Sequence, residues 1–179
     1  MDFIISIFEL VLLVLPAKLA RKSRHLFYGF MVKRKASSYK KNLRINRFST
    51  VTKKTVLGEN VNFNGIKIVG KGRVYIGNYF HSGVNCSIIT SFHNYEGSKI
   101  PYDMTTIDKD VIIENFVWIG DNVTILGGVT IGEGAIIQAG SVVTKSIPAL
   151  CIAGGHPANV FKKRNHDHFY KLKSDKCFF

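Results

Sequence analysis

Residues 107–148 read IDKDVI IENFVW IGDNVT ILGGVT IGEGAI IQAGSV VTKSIP, seven hexads without a gap. Each opens on a β-branched aliphatic: Ile107, Ile113, Ile119, Ile125, Ile131, Ile137, Val143. A period of six is neither helical nor a plain strand alternation, and a short fixed repeat marks a stacked architecture. Branched side chains at the opening place suit an extended backbone that packs inward. The fifth place holds Val111, Val117, Val123, Val129, Ala135, Ser141 and Ile147, small or branched groups able to fill the same interior. The fourth holds Asp110, Phe116, Asn122, Gly128, Gly134, Gly140 and Ser146. Gly, Asn and Asp tolerate positive φ, so five of these seven read as corners. The pattern predicts a short flat strand and a corner per hexad, three hexads to one coil of a triangular prism, with coils stacked about 4.8 Å apart.

The same phase runs through 76–93 and 57–62, while 63–75 needs a slip in register. Between His93 and Ile107 it halts for Asn94 to Thr106, which predicts an extruded loop at 94–106. Extruded loops are where repeat proteins keep function. If that loop is a simple excursion, faces recur every third hexad. Ser87, Trp118 and Ile136 then share one outer column, and His93, Thr124 and Val142 the next.

Charge divides the chain into three parts. Residues 1–50 carry a net +9, residues 51–161 are neutral, and residues 162–179 carry +4, together the +13 of the whole. A neutral repeat lacks the basic stripe that nucleic acid requires, so no nucleic-acid partner is expected. The three cysteines are scattered, which suits a reducing compartment, and Cys86 takes an inward place as a small core residue. Phe3 to Leu15 is apolar apart from Ser6 and Glu9 and is closed by Pro16. That is too short for a spanning helix, which needs about 20 residues. Its positive charges (Lys18, Arg21, Lys22, Arg24, Lys33, Arg34, Lys35) come after the apolar run, the reverse of a secretory signal. Two readings stand: an interfacial anchor on an anionic leaflet, or a helix capping the first coil or a neighbouring subunit. The expected organisation is a mostly helical segment 1–50, a repeat domain 51–161 and a basic tail 162–179, with the protein cytoplasmic or peripheral on the inner membrane face.

Three strings carry a resemblance: ITSFHNY at 89–95 followed by Ile100-Pro101-Tyr102, VWIGDNV at 117–123, and AGSVVTKSIP at 139–148 followed by AGGHPA at 153–158. Over about 56–165 the chain resembles the hexapeptide-repeat acyltransferases, closest to bacterial sugar and polysaccharide O-acetyltransferases. The resemblance implies an all-β, left-handed parallel β-helix, an acetyl-CoA co-substrate, no metal, a carbohydrate acceptor, a homotrimer and sites formed between subunits. It implies His93 as catalytic base, Trp118 at the acceptor end with Asn85, Tyr95 and Tyr102, and Ala139, Thr144 and Gly154 along the donor. Lys145 with Lys162 or Arg164 is implied at the nucleotide phosphates. Glu114-Asn115-Phe116 departs from the Gly-Asn-Asn corner usual before the tryptophan hexad, and Asn159 stands where a basic residue is common.

The chemistry agrees. A sugar hydroxyl is a poor nucleophile while protonated, and a neutral imidazole has the basicity to take its proton near pH 7. His93 stands at the mouth of the loop, where a carboxylate partner would be Glu96 or Asp103. His81 takes an equivalent outward place with no loop after it, and His156 falls near the donor. N-acetylation of a nucleotide-linked amino sugar is a second reading. A metal-dependent hydratase would need three converging histidines, and a non-catalytic scaffold would not need the loop.

Overall fold

A computed structural model describes residues 2–179. The apolar run forms helix α1, Asp2–Leu12, and α2 spans Ala17–Lys35. Pro16 sits between them with an extended backbone (ψ 138°), which lets the chain reverse. Ile5 and Phe8 pack on the core, and the Phe8 ring lies 4.2 Å from that of Phe27. Glu9 accepts from Arg24 (Nη2, 2.7 Å; Nε, 3.1 Å) and from the Tyr28 hydroxyl. The Arg24 bond holds the Glu9 carboxyl below its usual range, and burial pushes the Tyr28 phenol up.

The rungs begin at residue 38, earlier than the hexads suggest. Ser38–Tyr39 (β1), Arg44–Ile45 (β2) and a bridge at Thr50 make the first. Thr55–Leu57 (β3), Asn62–Phe63 (β4) and Ile66–Val69 (β5) make the second, and Val74–Ile76 (β6), His81–Ser82 (β7) and Cys86–Ile89 (β8) the third. An antiparallel ribbon then leaves the coil, Ser91–His93 (β9) against Thr106–Asp108 (β10). Winding resumes through Val111–Ile113 (β11), Trp118–Ile119 (β12) and Thr124–Leu126 (β13), then Thr130–Ile131 (β14), Ile136–Ile137 (β15) and Val142–Val143 (β16). It ends on a bridge at Ile147 and on Cys151–Gly155 (β17), which turns back into Ala158–Lys163 (β18). Helix α3, His166–Ser174, comes last; its cap Asn165 accepts from the His168 N–H at 2.8 Å.

Three parallel sheets form the prism: β1-β3-β6-β11-β14 on the first face, β2-β4-β7-β12-β15-β17 on the second, β5-β8-β13-β16 on the third. Ile113, Ile119, Ile125, Ile131, Ile137 and Val143 fill the interior. The edge between the first and second faces stacks six left-handed corners, at Asn42, Asn60, Tyr79, Phe116, Gly134 and Leu150 (φ 55–68°). Phe116 keeps the corner at φ 60° despite its bulk, stacked on Tyr79 with ring centroids 5.1 Å apart. Asp110 has no positive φ. Glycine is also required where the sequence repeats Ile-Gly: a Cβ on Gly120 would lie 2.6 Å from the Ala139 nitrogen of the next rung. The reason there is contact between rungs, not φ.

Two expectations are corrected. Ile107 does not open a rung, because it pairs with Phe92 across the ribbon, and Val111 is the first inward residue after it. The excursion is therefore 91–108, longer than 94–106. The predicted columns shift with it: Trp118 stands between His81 and Ile136, while Ser87, Thr124 and Val142 share the next face. A strand in the ribbon alternates as a strand in the coil does, so the hexad pattern persists where the backbone has already left the prism.

Candidate active site

His93 ends β9 opposite Thr106, exposed, its ring stacked on Tyr102 with centroids 3.8 Å apart and planes 14° from parallel. That stack orients the imidazole. The loop beyond is organised by Asp103, which accepts from the Thr105 hydroxyl and from the N–H groups of Ser98 (2.9 Å) and Thr105 (2.8 Å). These bonds, the Thr105 hydroxyl foremost, pull its carboxyl down to about 2. Asp103 thus shapes the loop, and a Cβ on Gly97 would collide with it. Glu96 is exposed, with its backbone N–H on Asn94. Among the described residues neither carboxylate bonds the His93 ring. Tyr95 is exposed at the loop tip.

The ribbon leaves the edge between the third and first faces, after β8 and before β11. Two rungs further along that edge, about 10 Å at the usual spacing, lie Thr144 and Lys145, both exposed. Ala139 sits at the other margin of β16, and Gly154 lies on β17 against Gln138 and Phe161. Lys162 is exposed on β18, opposite Ile152. Arg164 instead turns toward the first-second edge, donating to the Gly134 carbonyl (2.9 Å) and lying 4.8 Å over the Phe169 ring. Burial lowers its guanidinium. Lys145 and Arg164 are not brought together. Asn85 is an exposed corner at φ 54°, a conformation that by itself explains an asparagine.

Trp118 lies on the second face, the one opposite the ribbon's edge. It is half exposed and lines a cavity of about 770 Å³ with His81, Arg44 and Tyr79, walled by α3 and the last residues. The hexad columns read from sequence separate His81 from Trp118, which hides its place in this cavity; the true register stacks the two. The His81 Nε2 is 3.2 Å from Asn64 Nδ2, and burial lowers its pKa, which favours the neutral ring. One chain holds His93 and Trp118 on opposite sides of the prism.

Three parallel faces wound from hexads, with one ribbon presenting an imidazole, define a hexapeptide-repeat β-helix with a lateral loop. The family model described as "Bacterial transferase hexapeptide (six repeats)" matches residues 110–145. The putative lipopolysaccharide biosynthesis O-acetyl transferase WbbJ of Escherichia coli K12 is 46% identical over 70 residues, 38% of this chain and 36% of that protein. A maltose O-acetyltransferase from Clostridium difficile 630 superposes with TM-score 0.58 at 30% identity, covering 72% of this chain and 67% of that one. A hexapeptide-repeat acetyltransferase from Vibrio cholerae, solved with acetyl-CoA, gives 0.53 at 28% identity over 72% and 64%. The chain belongs to the hexapeptide-repeat acyltransferases, whose fold is the left-handed parallel β-helix. It spans about a quarter to just over half the length of the curated relatives it matches.

Proposed function

We propose that the protein transfers acetyl from acetyl-CoA directly to a hydroxyl of a carbohydrate, in a surface polysaccharide or its lipid-linked precursor. The observation that carries this is His93, oriented by Tyr102 on a ribbon whose edge continues to Thr144 and Lys145. In that arrangement Thr144, with Ala139 and Gly154, lines the donor, and Lys145 meets its phosphates with Lys162. Arg164 braces the Gly134 corner. His93 takes the hydroxyl proton as the oxygen attacks the thioester carbonyl. The tetrahedral intermediate collapses, the C–S bond breaks, and the leaving sulfur takes the proton back from the imidazolium.

Trp118 belongs to the acceptor side, and its place opposite the ribbon calls for a second copy. In a homotrimer, His93 of one subunit faces Trp118 of the next, with Tyr95 and Tyr102 on the loop and Asn85 at the margin. The relatives' names, a lipopolysaccharide O-acetyl transferase and a maltose O-acetyltransferase, support a carbohydrate hydroxyl. The enzyme works on the cytoplasmic side, where the exposed apolar residues of α1 (Phe3, Ile4, Leu10, Val11) and the basic α2 rest on the inner membrane face.

The test is transfer from radiolabelled acetyl-CoA to a panel of oligosaccharides and amino sugars. Alkali-labile label on a sugar hydroxyl is expected. Alkali-stable amide would move the assignment to N-acetylation.

A further inference from the structure

The 770 Å³ cavity does not end at His81. A second cavity of about 590 Å³ adjoins it, and Arg44, Asn62, His81 and Phe179 line both. The second is walled by Lys18, Arg21, Lys22 and His25 of α2, and no Asp or Glu side chain lines it among the described residues. Charge is therefore uneven along the combined groove. At the far end Lys173 is paired with Glu133 at 2.7 Å, and Arg164 is committed to the Gly134 carbonyl. Lys41 lies 3.8 Å from Glu59, the acid of the first cavity. Arg44, at the junction, has no ion-pair partner among the described residues, nor do the three α2 cations. Lys176 at the far end is also without an ion-pair partner among the described residues, but four such cations, Lys18, Arg21, Lys22 and Arg44, gather at α2 and the junction. The exposed indole of Trp118 and the amide of Asn62 lie on either side of His81 along the same face.

We infer that this groove binds a phosphorylated saccharide, its phosphate or diphosphate held by Arg44 and the α2 cations and its sugar laid against Trp118. Guanidinium and ammonium groups suit phosphate oxygens, and an indole face suits the apolar face of a pyranose. The inference rests on the acetyl-transfer reading and narrows its acceptor to one whose anionic end, at Arg44, lies three rungs, roughly 14 Å, from the sugar at Trp118. Two sources share this chemistry: a sugar on a prenyl diphosphate or on a nucleoside diphosphate. The α2 end of the groove belongs to the same hairpin as the exposed apolar face of α1.

Binding is measured without acetyl-CoA, by calorimetry on the full-length protein and by the emission of Trp118, its single tryptophan. The ligands are a disaccharide on a short prenyl diphosphate, a nucleoside diphosphate sugar and the free disaccharide. At least one phosphorylated ligand should bind about tenfold or more tighter than the free sugar, with a shift in indole emission. Arg44→Gln and Lys22→Gln should each remove several-fold of that preference and leave the free sugar unaffected. Preference for the prenyl form identifies a lipid-linked acceptor, and preference for the nucleotide form a soluble activated sugar. Equal affinity for the free disaccharide, no binding of either phosphorylated ligand, or indifference to both substitutions overturns the inference. Because no transfer is measured, a protein that binds but does not acetylate refutes the proposed reaction and leaves this site standing.

Discussion

Trp118 is stacked directly on His81, one rung apart on the second face, although 37 residues separate them in the chain. The ordinary step between rungs on this face is near 18, as from Trp118 to Ile136. The difference is the ribbon. By leaving the coil without disturbing the register of the later rungs, it sets a half-buried imidazole beneath the indole and carries a second one to the opposite edge.

Adjacent residues on one strand should respond differently to truncation. Ile119 has no exposure and lies among other branched side chains, so Ile119→Ala should cost about 2–5 kcal/mol in denaturant unfolding. Trp118→Ala should leave the midpoint nearly unchanged. It should lower kcat/KM for the acceptor by roughly tenfold or more, with KM for acetyl-CoA unaffected.

Acid should weaken the fold through His81. Its folded pKa lies below the unfolded value of about 6.5, so the unfolded chain binds the proton first. The neutral ring's advantage is complete above that value. It declines as pH falls from there to the lower folded pKa, then levels. Urea midpoints across this window should fall for the wild type, and more shallowly for His81→Gln. Parallel curves would assign the slope to other groups.

The thiols should separate cleanly. Cys86 and Cys151 are buried, and burial raises the Cys86 pKa; Cys177 is exposed. A disulfide reagent should modify Cys177 alone in the native protein and all three after denaturation. Fast native labelling of Cys86 would mean that the third rung opens.

Membrane association has its own test. Phe3, Leu10 and Val14 are 76%, 66% and 82% exposed. The wild type should sediment with anionic vesicles in low salt and be released as salt screens α2. A triple substitution to Ser should abolish sedimentation while preserving helical content. Equal sedimentation of both proteins contradicts the anchor.

The hexads make the prism legible because only one interior exists to fill: every Ile at an opening place from 113 to 137 is buried. Corners are legible where the residue itself demands them, as at Asn122 and Gly128. They are not at Phe116, where aromatic stacking with Tyr79 compensates an unfavourable φ. The ribbon's length is hidden because Ile107 looks the same facing Phe92 as it would facing the core. Spacing along the chain also carries no information about which edge a late residue turns toward, so nothing in the sequence separates Arg164 from Lys145.

Mixing two impaired variants asks whether one site is shared between subunits. His93→Ala and Trp118→Ala should each be severely impaired in acetyl transfer, the former with donor binding and assembly intact. If the base and the acceptor platform come from neighbouring subunits, dissociating the two variants, mixing them equally and reassembling them should restore roughly a quarter of the sites. Activity that stays at the level of the separate variants, or a His93→Ala protein that turns over like the wild type, contradicts the shared site.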